Sequence, residues 1–217
     1  MFKKFTTAAA TLALVGGMGL WSASAQTTTT TTETPAAVAI DPATIQDFGI
    51  GAMDAKVQIV EYASFTCPHC AQFHSDVYPK LKAEYIDTGK VRLTYHEVYF
   101  DRYGLWAAMM ARCGGEMRYI GIIDTLYDTQ REWAASDNPG EVVDNLKKIG
   151  RAAGMDDATI DACMKDGEMA KALVAHYETN FKADGIEGTP TFIINGVKHT
   201  NMPFADLKAI IDAELAK

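Results

Sequence analysis

The sequence predicts an α/β fold that is interrupted by an inserted all-helical domain. Two β-branched apolar segments, residues 57–63 and 91–98, flank a stretch of helical periodicity, and a third apolar segment follows at residues 191–194. Between the second and third segments, residues 104–183 show only helical patterns. The ends of the folded chain therefore form a scaffold, and its middle forms an insertion.

The first 25 residues have the composition of a secretory signal peptide. Lys3 and Lys4 precede an apolar run over residues 8–21, and the Ala-Ser-Ala sequence at 23–25 supplies a small-x-small cleavage site. A transmembrane anchor is the alternative, but the run is interrupted by glycines and is short for a span of about 20 residues. We therefore predict cleavage after residue 25 and export of the mature chain.

The charge of the exported chain argues against one class of partner. Residues 1–25 carry two lysines and no acidic residue, so their removal takes the formal net charge from −8 to −10. Binding to nucleic acid requires clustered Lys and Arg, so no nucleic-acid partner is expected. Four cysteines in an exported protein indicate disulfide chemistry, either structural or catalytic.

Residues 26–50 are predicted to form a flexible leader. The uninterrupted threonine run at 27–32 begins a segment without the apolar periodicity that could build a core. The α/β scaffold is placed at residues 51–103 and 184–217, with the helical domain inserted between these two parts.

The scaffold starts with a strand, a helix and a second strand. Residues 57–63 have the composition of a buried central strand, residues 68–87 are predicted to be helical, and residues 91–98 form the second strand. Apolar residues spaced four apart share one face of this helix. They are Phe73, Val77, Leu81 and Tyr85.

Five helices are predicted in the insertion, and Gly residues and an Asn-Pro-Gly sequence separate them. Their ranges are 104–113, 116–130, 139–152, 157–165 and 168–183.

The pattern changes again after Gly188. Residues 191–194 form a strand, the Asn-Gly pair at 195–196 is a strong hairpin turn, and residues 197–199 can pair back. Residues 204–215 close the chain as a helix with an apolar inner face.

The sequence Cys67-Pro68-His69-Cys70 is the candidate active site. At the first turn of a helix, Cys67 would lie beside unpaired N–H groups and the positive end of the helix dipole, which favour a thiolate. Pro68 lacks an N–H and tolerates that position, and a protonated His69 would add a positive charge beside the sulfur. Each effect lowers the pKa of the thiol and makes Cys67 a better leaving group.

Zinc binding, haem attachment and a purely structural bridge are the other interpretations of such a pair. Zinc requires four ligands, commonly from two such pairs, whereas Cys113 and Cys163 are isolated. A c-type haem requires His directly after the second cysteine, where this chain has Ala71. A bridge closing so small a ring would remove little entropy from the unfolded state. Redox chemistry is therefore favoured, and no metal is expected.

A second element is expected to face the two cysteines. Thr189 and Pro190 lie immediately before the hairpin, where proline would be awkward inside a central ladder. A cis bond would turn the backbone and direct the carbonyl and N–H of Thr189 outward. An ordinary trans proline at the start of a strand is the alternative, and the residues themselves leave the choice open.

The order of these features resembles the DsbA family of periplasmic thiol–disulfide oxidoreductases, in its alphaproteobacterial form. The resemblance extends from about residue 51 to residue 217 and is most specific in the segment Ser64-Phe65-Thr66-Cys67-Pro68-His69-Cys70. It implies a thioredoxin fold with an inserted helical domain and a periplasmic location. It also implies a cis-proline packed against the active cysteines.

The resemblance implies roles for the site residues as well. Cys67 would be the exposed nucleophile and Cys70 its buried partner, with Thr189 and Pro190 binding the substrate. The reaction would oxidise unfolded exported proteins that carry free cysteines. A quinone-linked, DsbB-like membrane oxidase would restore the disulfide. No bound cofactor is required, and a monomer is expected.

Two positions differ from the best-known member of that family. Thr189 replaces Val and also occurs in disulfide isomerases, and His74 replaces an acidic residue. The alternative to net oxidation is therefore an isomerase or reductase kept in the dithiol form. A non-catalytic, chaperone-like binding module, in which Cys67–Cys70 is only structural, is the alternative from another class.

Glu61 is a further candidate catalytic residue. Strand alternation places it on the same face as Val57 and Ile59, where burying a carboxyl group is costly unless it has a partner. Its predicted role is to move protons to and from Cys70, and the resembling family also has an acid here. The alternative is a glutamate that reaches solvent at the end of the strand.

Cys113 and Cys163 each lie on an apolar helical stripe and could simply be small buried residues. Two free thiols would be hazardous in an oxidising compartment, so we predict a Cys113–Cys163 bridge inside the insertion. Similar bridges occur in some alphaproteobacterial proteins that this chain resembles. The remaining histidines lie on separate predicted elements without metal-ligand spacing, and are expected to be scattered structural or surface residues. They are His74, His96, His176 and His199.

Overall fold

The computed structural model describes residues 39–217. The predicted signal peptide and the threonine run lie outside the described residues. Among the helices of residues 39–217, none combines the length and the apolarity that crossing a membrane requires.

The described chain contains a mixed sheet of five strands in the order β1-β3-β2-β4-β5. Strands β2 and β3 are parallel, and the other neighbouring pairs are antiparallel. The strands are β1 (Gly49–Ile50), β2 (Val57–Ala63), β3 (Val91–Glu97), β4 (Thr191–Ile194) and β5 (Val197–Thr200). The predicted strands and the final hairpin are confirmed.

Strand β2 lies at the centre of the sheet and leads directly into the candidate site. It pairs with β3 along its whole length, from Val57 opposite Val91 to Ala63 opposite Glu97. On its other side it pairs with β4. Because both edges are paired and both faces are covered, the last three residues of β2 are all buried. The cysteine motif therefore begins from a firmly held strand end.

Nine α-helices and one π-helical turn occur within residues 39–217, and five of the helices match those predicted for the insertion. The helices are α1 (Pro68–Asp76), α2 (Tyr78–Leu81), α3 (Arg102–Cys113), α4 (Glu116–Asp128), α5 (Gln130–Trp133), α6 (Pro139–Ala152), α7 (Asp157–Met164), α8 (Gly167–Ala183) and α9 (Phe204–Ala216), and the π-helical turn is Lys82–Ile86.

The single helix predicted for residues 68–87 was wrong, because the segment is broken after Val77. Pro79 has no N–H to continue the ladder, and its ring would collide with the carbonyl of Ser75 in a regular helix. The backbone at Val77 bends accordingly, with φ −112°. The apolar stripe nevertheless stays buried, from Phe73 to Tyr85. The same face of the segment therefore packs into the core on both sides of the break.

The insertion shares its hydrophobic core with the sheet. Leu93 and Phe192 of the sheet belong to the same buried cluster as Ile122, Leu126 and Ile160 of the insertion. Residues 39–217 accordingly belong to one compact unit. Helix α8 packs elsewhere on the sheet, where Tyr177 and Phe181 contact a second buried cluster that includes Tyr62.

The prediction of a flexible leader up to residue 50 was wrong for its last part. Gly49 and Ile50 form β1 and pair with Thr94 and Leu93 of β3. A side chain at Gly49 would meet the carbonyl oxygen of Leu93 at 2.5 Å, so glycine permits this close pairing. Asp47 anchors the same segment by polar contacts. The threonine run at residues 27–32 therefore does not predict the structure of residues 49–50.

Cys113 and Cys163 are joined in the structure. Their sulfurs are bonded at 1.99 Å, and the bridge links the end of α3 to α7. The two residues are 50 positions apart in the chain. The bridge lies wholly inside the insertion, as the sequence predicts.

Candidate active site

Cys67 lies immediately before α1. Its N–H donates to the carbonyl of Ser64 at 3.1 Å, which turns the chain after β2, and its carbonyl accepts from the N–H of Ala71 at 3.2 Å. Cys67 is the N-cap residue and Pro68 is the first helical residue. The sulfur therefore lies beside the unpaired N–H groups of the helix start, where an anion is favoured.

The two thiols of the motif differ in access. Both are free in this structure; Cys67 keeps 9% of its surface exposed and Cys70 keeps none. Pro68 and His69 between them are exposed. The resemblance implied an exposed Cys67, and the structure corrects this to a mostly buried residue with a narrow exposed strip. A reactant from solvent can still meet only the first sulfur of the pair.

The pKa values of the two thiols are shifted in opposite directions. The hydrogen bond from Cys70 is the largest effect on Cys67; burial opposes it, and the Thr189 side chain and the N–H groups of Cys70 and His69 add to it. Together they lower the pKa of Cys67 from its ordinary 9.0 to about 5. Burial, followed by the hydrogen bond with Cys67 and the charge of Glu61, raises the pKa of Cys70. Cys67 is therefore the better leaving group and Cys70 the more basic sulfur.

The Thr189–Pro190 peptide bond is cis. This loop faces the motif, and the carbonyl oxygen of Thr189 lies 3.5 Å from the sulfur of Cys67, within hydrogen-bonding reach of the protonated thiol. The hydroxyl of Thr189 is buried without a hydrogen-bond partner among the described residues. The structure therefore brings together the two elements that the sequence singled out.

Gln130 was missed by reasoning from the sequence. Its side-chain amide is buried and donates to the carbonyls of Phe65 at 2.8 Å and Cys67 at 2.9 Å. The insertion thereby holds the turn that carries the first cysteine. No local pattern could reveal this role, since Gln130 and Cys67 are 63 residues apart.

Glu61 is fully buried in the middle of the sheet, so the interpretation in which it reaches solvent is wrong. Its neighbours across the sheet are Tyr95 on β3 and Phe192 on β4. The nearest basic group is His74, whose Nε2 lies 3.4 Å from Oε2 of Glu61. The charge of Glu61 also acts on Cys70 and raises its pKa. The carboxyl group thus lies behind the buried cysteine.

Three of the histidines are not scattered, contrary to expectation. His74 contacts Glu61, while His96 and His176 meet at Asp47 with Nε2–oxygen distances of 3.1 and 3.0 Å. Asp47 belongs to the segment predicted as a leader. Residues on separate elements are thus brought together by the fold.

Two open grooves border the motif. One, of about 640 Å³, lies between α1 and the α4–α5 connection and is lined by His69, Gln72 and Arg131 among others. The other, of about 440 Å³, lies along the cis-proline loop and includes Thr189 and Lys198. The exposed edge of Cys67 therefore lies where extended polypeptide could be accommodated on either side.

The structure has the arrangement of a thioredoxin fold: β2 pairs with β3, the cysteine motif lies at the start of α1, and the cis-proline faces it. Helices α3–α8 are inserted into this fold. Comparison with known families agrees. The thioredoxin family model matches residues 43–213, so the chain belongs to the thioredoxin family, within which it is a DsbA-family protein of alphaproteobacterial type.

Individual relatives support this placement. A Rickettsia bellii protein, assigned by inference as a protein-disulfide oxidoreductase, is 36% identical over 169 residues, which cover 76% of this chain and 63% of that protein. The chain thus spans less than two thirds of the length of that relative.

Solved structures are similar over more of their length. Wolbachia pipientis alpha-DsbA1 has a TM-score of 0.71 at 27% identity, covering 77% of this chain and 90% of that one. BdbD from Bacillus subtilis, in its oxidised form, has a TM-score of 0.70 at 21% identity, covering 79% and 94%. The likeness to BdbD establishes the fold alone.

Proposed function

We propose that this chain is a thiol–disulfide oxidoreductase that introduces disulfide bonds into exported proteins through Cys67. The observation that carries the proposal is the lowered pKa of Cys67, about 5, at the one sulfur of the motif with access to solvent. A thiol that is stable as an anion leaves a mixed disulfide readily and makes its own disulfide a strong oxidant.

The reaction starts from the oxidised Cys67–Cys70 pair. A substrate thiolate attacks the sulfur of Cys67, a substrate–Cys67 bond forms, and the Cys67–Cys70 bond breaks. The departing sulfur of Cys70 takes up a proton, because burial raises its pKa. Attack is directed to Cys67 because Cys70 has no exposed surface.

A second substrate thiolate then completes the transfer. It attacks the substrate sulfur of the mixed disulfide, the substrate disulfide forms, and Cys67 leaves as a thiolate. Two electrons have passed from the substrate dithiol to the protein, which holds them as the Cys67–Cys70 dithiol. A second redox partner must remove them, and a quinone-linked membrane oxidase is the partner that fits an exported protein of this family.

Glu61 is proposed to exchange the proton of Cys70. Its carboxyl group is buried behind that cysteine and its charge acts on the thiol. We expect Glu61→Gln to slow oxidation of a dithiol peptide and to change the pH profile of the rate, because an amide cannot exchange the proton. Stopped-flow kinetics over a pH series measure both, with Gln58→Ala on the same strand as the control. An unchanged profile would remove Glu61 from the mechanism.

The substrates are proposed to be unfolded segments with free cysteines. The carbonyl and N–H of Thr189 offer backbone pairing to an extended chain held beside Cys67. The two grooves that border the motif support this choice of substrate. No bound cofactor takes part in this scheme, because the disulfide is itself the electron acceptor.

The decisive experiment equilibrates the Cys67–Cys70 pair with glutathione and then offers a reduced peptide with two cysteines. An oxidase gives a potential well above that of thioredoxin and oxidises the peptide stoichiometrically. Cys67→Ala should abolish the transfer. A binding module would bind the peptide but leave its thiols reduced, both as the wild type and as Cys67→Ala.

An isomerase or reductase is the second candidate, and Thr189 favours it. Threonine at this position, directly before the cis-proline, also occurs in disulfide isomerases. Redox state in the native compartment separates the two functions, because a reductase is held as the dithiol. Trapping of free thiols in intact cells provides this measurement.

A further inference from the structure

A cluster of buried polar side chains lies behind Cys70. Glu61 is fully buried and His74 is 5% exposed, and Nε2 of His74 lies 3.4 Å from Oε2 of Glu61. Both carboxyl oxygens of Glu61 and both ring nitrogens of His74 lack a hydrogen-bond partner among the described residues. Such groups are expensive to bury and are usually satisfied in native proteins. Stability therefore does not explain the pair.

Aromatic rings hold His74 in this position. The ring of Tyr127 stacks on it at 4.0 Å between centroids and 18° between planes, and those of Tyr78 and Tyr95 lie at 4.9 and 5.8 Å. The hydroxyls of Tyr78 and Tyr95 also lack a hydrogen-bond partner in the described part of the chain. The imidazole is therefore fixed in orientation by ring packing, and neither of its nitrogens is held in a hydrogen bond within residues 39–217.

Asp124 lies on α4 three residues before Tyr127, whose ring stacks on His74, so the two share one face of that helix. Asp124 is half-buried, and its Oδ1 has no hydrogen-bond partner among residues 39–217. Burial raises the pKa of Asp124, and the charge of His74 opposes that rise. The titratable groups around His74 lie on β2, α1, α2, β3 and α4. They are Glu61, Cys70, Tyr78, Tyr95, Asp124 and Tyr127. The charges of Lys82 and Asp128 act on Asp124.

Redox turnover requires protons at a place that solvent does not reach. Neither Cys70 nor Glu61 has exposed surface. A carboxyl group can supply or accept one proton there, but it must be reset from outside before the next turnover. We propose that His74 resets it, passing protons between Glu61 and the half-buried edge of the cluster at Asp124. The inference rests on the proposed function, and His74 acts through Glu61 as a positioning residue.

The proton balance is as follows in the oxidation of a substrate. Cys70 leaves the disulfide as a thiolate and takes the proton of the Glu61 carboxyl group. Nε2–H of His74 then gives its proton to the Glu61 carboxylate, and the other ring nitrogen takes one from the Asp124 side. One proton thus moves from solvent to Cys70 for each disulfide opened, and the path runs in reverse when the pair is reoxidised.

The reverse direction provides a clean assay. A mixed disulfide between Cys67 and glutathione is prepared, and release of glutathione by attack of Cys70 is followed as a function of pH. This step requires Cys70 to lose its proton. His74→Phe keeps a ring against Tyr127 but cannot carry a proton, and His199→Phe on β5 is the matched control.

We expect His74→Phe to release glutathione at least about tenfold more slowly than the wild type at neutral pH, because assisted proton transfer is lost. Its rate should rise roughly tenfold per pH unit, as direct loss of the Cys70 proton to solvent requires, whereas the wild-type rate should depend weakly on pH. Titration of the Cys67 thiolate by ultraviolet absorbance should match the wild type.

A His74→Phe protein with the rate and pH profile of the wild type would overturn the inference. So would a slower rate accompanied by a shifted Cys67 titration, which indicates a structural effect. If that variant does not fold, Asp124→Asn at the half-buried end gives the same test with the same two outcomes. Failure of the wild-type protein to oxidise a dithiol peptide would instead refute the proposed function, so the two failures are distinguishable.

Discussion

The sulfur of Cys67 lies 3.5 Å from the carbonyl oxygen of Thr189, although 122 residues separate them along the chain. One residue ends the turn after the central strand, and the other precedes the cis-proline. Their proximity places a redox-active thiol beside a backbone edge that can pair with an extended peptide. The proposed thiol chemistry and the proposed peptide binding therefore meet at one point of the surface.

The hydrogen bond from Cys70 makes the largest contribution to the lowered pKa of Cys67. We predict that Cys70→Ala raises the pKa of Cys67 from about 5 toward the ordinary value of 9.0. Titration by thiolate absorbance or by alkylation rate measures the change. A titration that is unchanged in Cys70→Ala would show that the helix start alone stabilises the anion.

The same shift makes the stability of the reduced protein depend on pH. Because the folded state lowers the pKa of Cys67 from 9.0 to about 5, the contribution of the thiolate is complete above 9.0 and is lost as pH falls through about 5. The unfolding free energy of the reduced protein, relative to Cys67→Ala, should therefore decrease from pH 9.0 to 5. Urea unfolding at several pH values measures it, and a flat difference contradicts the prediction.

Gln130→Ala should loosen the turn that carries the cysteine motif. The substitution removes the side-chain donor to the carbonyl of Phe65 and one of the two donors to the carbonyl of Cys67, which keeps the N–H of Ala71. We expect a loss of about 1–3 kcal/mol in unfolding free energy. Alkylation of Cys67 should become faster as its access increases. Gln72→Ala on the exposed face of α1 is the control. Equal stability of the two variants would show that the Gln130 amide does not hold the turn.

The Cys113–Cys163 bridge should contribute to stability but not to redox chemistry. Closing a loop of 50 residues is worth about 4 kcal/mol in the chain-entropy description, so Cys113→Ala/Cys163→Ala should unfold at lower denaturant concentration. The potential of the Cys67–Cys70 pair should not change. A shifted potential would indicate that the bridge acts on the active site.

Asp47 should make the protein sensitive to acid. Burial alone would raise the pKa of Asp47, but hydrogen bonds and charges of His96 and His176 outweigh it and lower the pKa below 3.8. Stability from this group is therefore present above 3.8 and is lost as pH falls through the lowered value. Asp47→Asn should lower the unfolding free energy at neutral pH by about 1–3 kcal/mol and reduce the loss in acid. Equal acid slopes in the two proteins would contradict this assignment.

Local patterns in the sequence predicted most of the elements. The β-branched apolar composition of residues 57–63 and the apolar face of residues 204–215 correctly predicted a buried strand and a helix, because both depend on burial of apolar side chains. The break at Val77 was not anticipated, although Pro79 is visible in the sequence. The continuous apolar stripe predicted one helix because it records only which side chains are buried. The missing N–H of Pro79 breaks the backbone hydrogen bonds and leaves that stripe unchanged.

The sequence by itself determined that Cys67 begins a helix after a buried strand, since spacing, proline and helix-terminus chemistry all act within a few residues. The residues around Pro190 left its peptide bond open, and the family resemblance implied the cis form that the structure has. Only the tertiary structure decided the hold of Gln130 on the cysteine turn and the meeting of Glu61 with His74. The physical reason is that these features depend on which distant groups share a dry interior. In that interior, packing sets the energies of hydrogen bonds and of charge interactions, and a local pattern of residues does not predict the packing.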